Sequence, residues 1–237
     1  MITHIPVHVL SILEVTALVT GLLLYGFLWV AANKKTGLLL FAMGHLAIAA
    51  APILAAFYSQ NPAKGGAVVA VVISFVIICS LLLLSLSQAF RQLVARVSPS
   101  WLIATHGLRI IPGIVILSLF EMGLLPATFA LGAGYGDILA GTLALPTAWL
   151  MAAGSKQARP LALIWNSIGL LDLLYATGVG AAVVTPHTVD IAASGGPIGF
   201  LDWFLFLPTF PVSLWIASHL VLYWMIWPPA RRRAVSG

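Results

Sequence analysis

Apolar residues fill seven long stretches of this chain, and short polar, Pro-containing or Gly-containing breaks separate them. The stretches are 6–32, 37–58, 66–90, 101–121, 136–153, 161–184 and 203–227. An α-helix of about 20 apolar residues matches the hydrocarbon thickness of a bilayer, because each residue adds about 1.5 Å. The pattern therefore predicts an all-α fold, a polytopic membrane bundle of about seven transmembrane helices.

Composition narrows the class of protein. Hydrophobic residues make up 61% of the chain and charged residues 7%, whereas about a quarter of the residues of a soluble domain are charged. We therefore expect residues 1–237 to form one transmembrane domain with membrane lipids as partners. The net charge of +5 does not indicate nucleic-acid binding, because the basic residues are scattered over short connections and the tail.

The basic residues also predict an orientation. If the connections alternate between two sides, Lys64 lies on one side and nine basic residues lie on the other: Lys34, Lys35, Arg91, Arg96, Lys156, Arg159, Arg231, Arg232 and Arg233. Cytoplasmic connections are enriched in Lys and Arg. We therefore expect a bacterial cytoplasmic membrane protein with its C-terminus in the cytoplasm and its N-terminus outside. The first stretch lacks a basic leader and a small-residue cleavage site, which predicts that it stays as a helix.

A set of spaced polar, proline and glycine residues marks the C-terminal half. The set comprises Arg109 with Pro112, the runs Leu125–Ala130 and Ala133–Asp137, Trp165–Asn166 with Gly169 and Asp172, and Pro211 with His219. From Arg109 onward the chain resembles a large group of uncharacterised bacterial multi-pass membrane proteins. The resemblance implies a polytopic helical fold, and it brings no activity with it.

Five polar residues lie inside the predicted helices: His45, Arg109, Asn166, Asp172 and His219. An ionisable side chain in a bilayer costs several kcal/mol unless it is paired or hydrated. Counted from the cytoplasmic end of each helix, the five lie at overlapping depths of about 9 to 18 Å. We predict that Arg109 pairs with Asp172 and that His219 lies close to them. Two interpretations stay open: packing contacts between helices, or a binding site for a ligand or proton.

The motif Gly134-Tyr135-Gly136-Asp137 is similar to the Gly-x-Gly-Asp signature of intramembrane aspartyl proteases and prepilin peptidases. Such enzymes need two carboxylates that share a proton at one depth. On the predicted boundaries, Asp137 opens a helix at the outer end, about 10 Å from the level of Asp172. We therefore predict that Gly134, Gly136 and Asp137 form a helix start that Asp137 caps.

The predicted helix boundaries also restrict which cofactors the bundle can bind. Every lysine lies in a predicted connection, which excludes a retinal Schiff base inside the bundle. His4 and His8 have no third ligand beside them, so no metal site is predicted. Haem or another tetrapyrrole requires His45 and His219 on facing helices at one level, and this alternative stays open.

Three functions fit the pattern. We predict binding of a small ligand, lipid or proton in a polar pocket inside the bundle, for transport or sensing. The first alternative is a structural or pigment-holding subunit of a larger complex, with other membrane subunits as partners. The second is an intramembrane hydrolase that uses Asp137 or Asp172, so whether the protein is an enzyme stays open.

Overall fold

A computed structural model of the protein describes residues 62–184 and 211–227, together with the single positions Val19, Gly21, His187 and Leu207. The predicted helices 6–32 and 37–58 lie outside the described residues apart from Val19 and Gly21, and so do His4, His8 and His45. The described residues form helices and turns without a strand. The predicted all-helical class is confirmed for this part of the chain.

The described helices are numbered here in chain order. They are α1 (Pro62–Leu86), α2 (Gln88–Val94), α3 (Pro99–Thr105), α4 (Ile110–Glu121), α5 (Ala127–Ala152), α6 (Ala158–Val179) and α7 (Pro211–Ile226). A 3-10 segment, His106–Arg109, joins α3 to α4, and a π-helical turn, Gly180–Val184, follows α6. One predicted helix, 66–90, is interrupted, because Ser87 is extended and its hydroxyl accepts a hydrogen bond from Phe90 N at 3.2 Å, which starts α2.

Four helical segments are long and apolar enough to cross a membrane: Ala67–Leu86, Pro99–Glu121, Ala127–Ala152 and Ala158–Val184. The helix Pro211–Ile226 is apolar and shorter. Large apolar side chains are exposed on the outer faces of α1 and α6, where Phe75 is 65% exposed and Leu171 is 66% exposed. A soluble protein rarely leaves continuous faces of this kind open to water.

The start of α5 corrects the predicted boundaries. We expected a connection from 122 to 135 and a helix start at Asp137, and both expectations are wrong, because α5 begins at Ala127 after Pro126. The preceding helix, α4, ends at Glu121. Just beyond it, Gly123 has a left-handed φ of 73°, and Leu124 N donates to Leu119 O at 2.9 Å. Asp137 therefore lies well inside α5 and caps no helix.

Glycines inside α5 allow close packing between helices instead of ending the helix. A Cβ atom at Gly113 of α4 would lie 2.7 Å from the carbonyl oxygen of Gly134. A Cβ atom at Gly141 would lie 2.9 Å from the backbone nitrogen of Ile110. Small residues at such contacts are typical of helices that associate in membranes, where backbones must approach closely.

Two apolar clusters enclose a middle layer of the bundle. One contains Val115, Leu119 and Phe129, and the other contains Ile103, Ala148 and Leu222. Along the chain from α3 to α4, Arg109 lies between Ile103 and Val115. The middle layer is therefore the level of the bundle at which Arg109 lies.

Candidate functional site

Arg109 is the centre of the middle layer. Its side chain is fully buried, and three of its groups donate hydrogen bonds to two other helices. Nε donates to Asp137 Oδ1 on α5 at 2.8 Å, Nη2 donates to Asp172 Oδ2 on α6, and Nη1 donates to the carbonyl oxygen of Gly169 at 3.2 Å. A guanidinium is a planar fork of donors, which suits it to hold several acceptors at once.

The contact between Arg109 and Asp172 is the one that the depth count predicted. The count also named Asp172 as the one carboxylate deep enough to reach Arg109, and that part is wrong, because Asp137 pairs with Arg109 as well. The side chains of Asp137 and Asp172 are 10% and 9% exposed. One buried cation therefore lies against two buried acids, and the three groups carry one excess negative charge when both acids are ionised.

Asn166 orients the ring of His219. The Asn166 amide nitrogen donates to the carbonyl oxygen of His219 at 3.0 Å, so its oxygen Oδ1 is the atom that faces His219 Nδ1 at 2.8 Å. An amide oxygen can only accept, so Nδ1 carries the hydrogen of a neutral ring. His219 Nε2 then presents a lone pair toward Nη1 of Arg109, at 3.4 Å.

His106 belongs to the same cluster, and the sequence reasoning missed it. Its ring centroid lies 4.3 Å from that of His219. The Ser218 hydroxyl donates to Trp215 O at 2.8 Å, so it accepts from His106 Nε2 at 2.8 Å. The available signal was position, because His106 precedes Arg109 by three residues and so lies on the same helix face.

Two tryptophans line the cluster and differ in hydrogen bonding. The Trp165 indole N–H donates to the carbonyl oxygen of Ala140 at 2.8 Å. The Trp215 ring lies 5.9 Å from the guanidinium carbon of Arg109, within the range of a cation–π contact. The Trp215 indole N–H is buried and has no hydrogen-bond partner among the described residues.

Glycines on α5 and α6 make room for the charged groups. A Cβ atom at Gly169 would lie 2.7 Å from His219 Cε1 and 3.2 Å from Arg109 Nη1. A Cβ atom at Gly136 would overlap the carboxylate of Asp172. These two glycines therefore belong to the site, because a side chain at either position would displace a charged or hydrogen-bonded partner.

The residues that form this cluster all fall within one stretch of the chain that matches a family model. A family described as "Domain of unknown function (DUF8737)" matches residues 66–227. The chain belongs to the DUF8737 family. The DUF8737 match contains Arg109, Asp137, Asn166, Asp172 and His219, so the whole charged cluster lies inside the family's domain. No curated protein and no solved structure matches the chain.

Haem does not fit the described part of the DUF8737 domain. A haem iron needs a free imidazole nitrogen, whereas His219 Nδ1 donates to Asn166 and Nε2 faces the guanidinium of Arg109. His45, the second predicted ligand, lies outside the described residues. The described residues also contain no group of three His, Cys, Asp or Glu side chains that could hold a metal ion.

Proposed function

We propose that this protein is a seven-helix, multi-pass protein of a bacterial cytoplasmic membrane that binds a proton at Arg109, Asp137 and Asp172. Its N-terminus lies outside and its C-terminus in the cytoplasm. The bound proton serves transport or sensing. Four membrane-length helices and the exposed apolar faces of α1 and α6 support the membrane location.

The observation that carries the proposal is the charge of the cluster. One fully buried guanidinium contacts two carboxylates that are each nine-tenths buried, and each group comes from a different part of the bundle. Arg109 stays protonated under essentially all conditions, so it can balance one carboxylate. An uncompensated charge at this depth costs several kcal/mol. A proton on the carboxylate pair restores neutrality, and its release creates a charge that can drive a conformational change.

The histidines do not supply the missing positive charge in this geometry. His219 Nε2 faces the guanidinium of Arg109 as an acceptor, so a proton there would place two cations side by side. The ring of His106 lies directly beside that of His219, with the two ring centroids 4.3 Å apart. The proton is therefore assigned to the carboxylates.

The hydrolase alternative is less well supported by the same geometry. A two-carboxylate protease holds one proton and one attacking water between its acids. Here the guanidinium of Arg109 contacts both Asp137 and Asp172, so a cation occupies the place between the acids. The subunit alternative has support only from the exposed apolar faces, which lipid covers equally well.

Infrared spectroscopy of the protein in lipid nanodiscs tests the proposal, because a protonated carboxylic acid has its own carbonyl band. We expect one such band, titrating with pH and lost in both Asp137→Asn and Asp172→Asn. Glu121→Gln is the matched control, since Glu121 is exposed at the end of α4, and it should leave the band unchanged. A carboxylic-acid band that survives both aspartate substitutions would overturn the proposal. Binding of sodium at the cluster instead of a proton would overturn it as well.

A further inference from the structure

Basic residues collect at one end of the bundle, which we call the basic end. They are Arg91, Arg96, Lys156 and Arg159. The first two belong to α2 and the turn after it, and the last two belong to the turn between α5 and α6 and to the start of α6. Val97, Ala162 and Ile226, which lie close to these residues in the fold, share one buried apolar cluster. The two pairs of basic residues therefore lie at the same end of the bundle.

No described acid balances the charge of the basic end. The segment from α3 to α4 starts there and ends at Glu121, at the opposite end, and Asp137 and Asp172 contact Arg109 in the middle layer. Among the described residues, every salt bridge belongs to Arg109. The sequence places three more arginines, 231 to 233, shortly after α7, whose last residue lies at the basic end. This end of the bundle therefore carries an uncompensated positive charge.

Two arginines are held where apolar helices end. Arg91 Nη1 donates to the carbonyl oxygens of Leu84 and Ser85 in the last turn of α1, at 3.1 and 2.8 Å. Arg159 Nε donates to the carbonyl oxygen of Ile226, the last residue of α7, at 2.6 Å. The last carbonyl groups of a helix have no partner within the helix, so these bonds satisfy them. They also fix both guanidinium groups at the level where the helices leave the hydrocarbon. Arg159 is exposed, and its two terminal nitrogens make no hydrogen bond among the described residues.

Three exposed tryptophans lie at the same level. Trp101 is 54% exposed in the first turn of α3, Trp149 is 68% exposed in the last turn of α5, and Trp227, which follows α7, is 62% exposed. Tryptophan is enriched at the membrane–water interface, where its ring lies among the lipid head groups. The basic and aromatic residues together place this end at the level of the lipid phosphates.

We propose that the basic end binds anionic phospholipids, whose phosphate groups accept hydrogen bonds from Arg96, Lys156 and Arg159. A guanidinium binds phosphate oxygens through two parallel N–H groups, and an ammonium binds them as a point charge. Clusters of basic residues immediately beyond transmembrane helices attract anionic lipids. A zwitterionic lipid carries its own cation and offers no net charge to such a cluster. The inference requires the membrane location and does not depend on the proton site.

Native mass spectrometry of the full chain, released from detergent micelles, measures this binding. The probes are phosphatidylglycerol and phosphatidylcholine with the same acyl chains. We expect phosphatidylglycerol to bind about tenfold or more tightly than phosphatidylcholine, and the difference to shrink as salt screens the charges. Equal binding of the two lipids would overturn the proposal. Displacement of phosphatidylglycerol by an equal concentration of glycerol 3-phosphate would also overturn it, because the site would then recognise a soluble phosphate.

Single substitutions test whether the basic end holds the lipid. Arg96 and Lys156 are exposed and make no hydrogen bond among the described residues, so Arg96→Gln and Lys156→Gln should fold normally. Each should weaken binding of phosphatidylglycerol by about fivefold, which corresponds to about 1 kcal/mol for one basic residue at an anionic surface. Binding of phosphatidylcholine should stay unchanged.

Lys64→Gln is the matched control, because it removes the same charge from the first turn of α1, at the opposite end of the bundle. It should leave the binding of both lipids unchanged. If Lys64→Gln weakens phosphatidylglycerol binding as much as Arg96→Gln does, the lipid responds to the net charge of the protein and the proposed site is wrong. The carboxylic-acid band of Asp137 and Asp172 should be the same in all three variants, so the lipid site and the proton site are tested separately.

Tryptophan fluorescence in phosphatidylcholine vesicles provides a second measurement, in a bilayer. Bromine atoms in the upper part of the acyl chains quench tryptophans that the lipid contacts. At equal mole fractions, brominated phosphatidylglycerol should quench more than brominated phosphatidylcholine. This excess should fall in Trp149→Phe and disappear in the double variant Arg96→Gln, Lys156→Gln. Equal quenching by the two brominated lipids would show that the basic end does not select anionic phospholipids.

Discussion

Arg109 contacts two acids while its single charge balances one of them, and this asymmetry sets how the three residues respond to substitution. Asp172→Asn leaves Arg109 with Asp137 as a one-to-one pair, so the remaining buried charges still cancel. Arg109→Met leaves two carboxylates without their cation, and breaking a buried pair from one side costs about 3–5 kcal/mol. We expect Arg109→Met to lower the free energy of unfolding in detergent by about that amount, and Asp172→Asn by clearly less.

A triple variant separates charge balance from packing. Arg109→Met combined with Asp137→Leu and Asp172→Leu removes every charge of the cluster and should recover part of the loss caused by Arg109→Met alone. Lys156→Met is the matched control, because Lys156 is exposed in the turn after α5 and its charge has little effect on stability. If Asp172→Asn proves as costly as Arg109→Met, the charge count proposed for the cluster is wrong.

The tautomers of the two buried histidines, His106 and His219, can be tested directly. The hydrogen bonds assign the proton of His219 to Nδ1 and that of His106 to Nε2, so the neutral rings are opposite tautomers. ¹⁵N chemical shifts of labelled histidine distinguish the two. Asn166→Leu removes the acceptor of His219 and should change only that tautomer, at a cost of about 1–3 kcal/mol for the groups left unpaired. The same tautomer in both unmodified rings would contradict the assignment.

Helix α6 contains two glycines, Gly169 and Gly178, that allow a matched comparison. A Cβ atom at Gly169 would press on His219 and Arg109, whereas a Cβ atom at Gly178 would meet nothing within 4 Å. Gly169→Ala should cost about 1–3 kcal/mol, as overpacking usually does. Gly178→Ala should be neutral or stabilising by up to about 1 kcal/mol, since alanine favours a helix. Thermal unfolding of both variants in detergent measures the difference, and equal stabilities would show that Gly169 does not hold the site open.

Helix boundaries explain what the sequence could predict and what it could not. The predicted helices 101–121 and 161–184 agree with Pro99–Glu121 and Ala158–Val184, because proline and charged residues mark their starts. The sequence predicts the start of α5 at the wrong residue, because Gly134 and Gly136 resemble chain breaks, whereas they lie inside the helix in close contact with α4 and α6. The predicted start is about two turns too late, and for this reason the prediction places Asp137 at a helix boundary instead of in the site.

Part of the candidate site could also be predicted from the sequence. Arg109 and Asp172 could be paired from the sequence, because a buried charge demands a partner at its own depth. His106 gave no such demand, since a neutral imidazole needs only a hydrogen-bond partner, and Ser218 supplies it from another helix. The unpaired N–H of Trp215 depends on side-chain packing between helices, which no spacing along the chain reveals.

The described helices present apolar faces to their surroundings and bury the charged side chains of Arg109, Asp137 and Asp172. Ile164 is 58% exposed and Leu171 is 66% exposed, whereas Arg109 is fully buried. This is the reverse of the arrangement in water, where charges lie outside and apolar side chains inside. It supports a bilayer as the natural surroundings of these helices, with the polar cluster shielded at both ends by apolar residues.

The proposed orientation of the helices in the membrane can be tested with reporters at three sites in the chain. A reporter that is active only in the periplasm should stay silent after Gly237 and in the turn at Gly154, and it should be active in the turn at Gly123. The two turns flank α5, so opposite signals there show that α5 crosses the membrane. The charge bias of nine basic residues against one sets the side. Activity after Gly237 and at Gly154 with silence at Gly123 would show that the bundle has the opposite orientation.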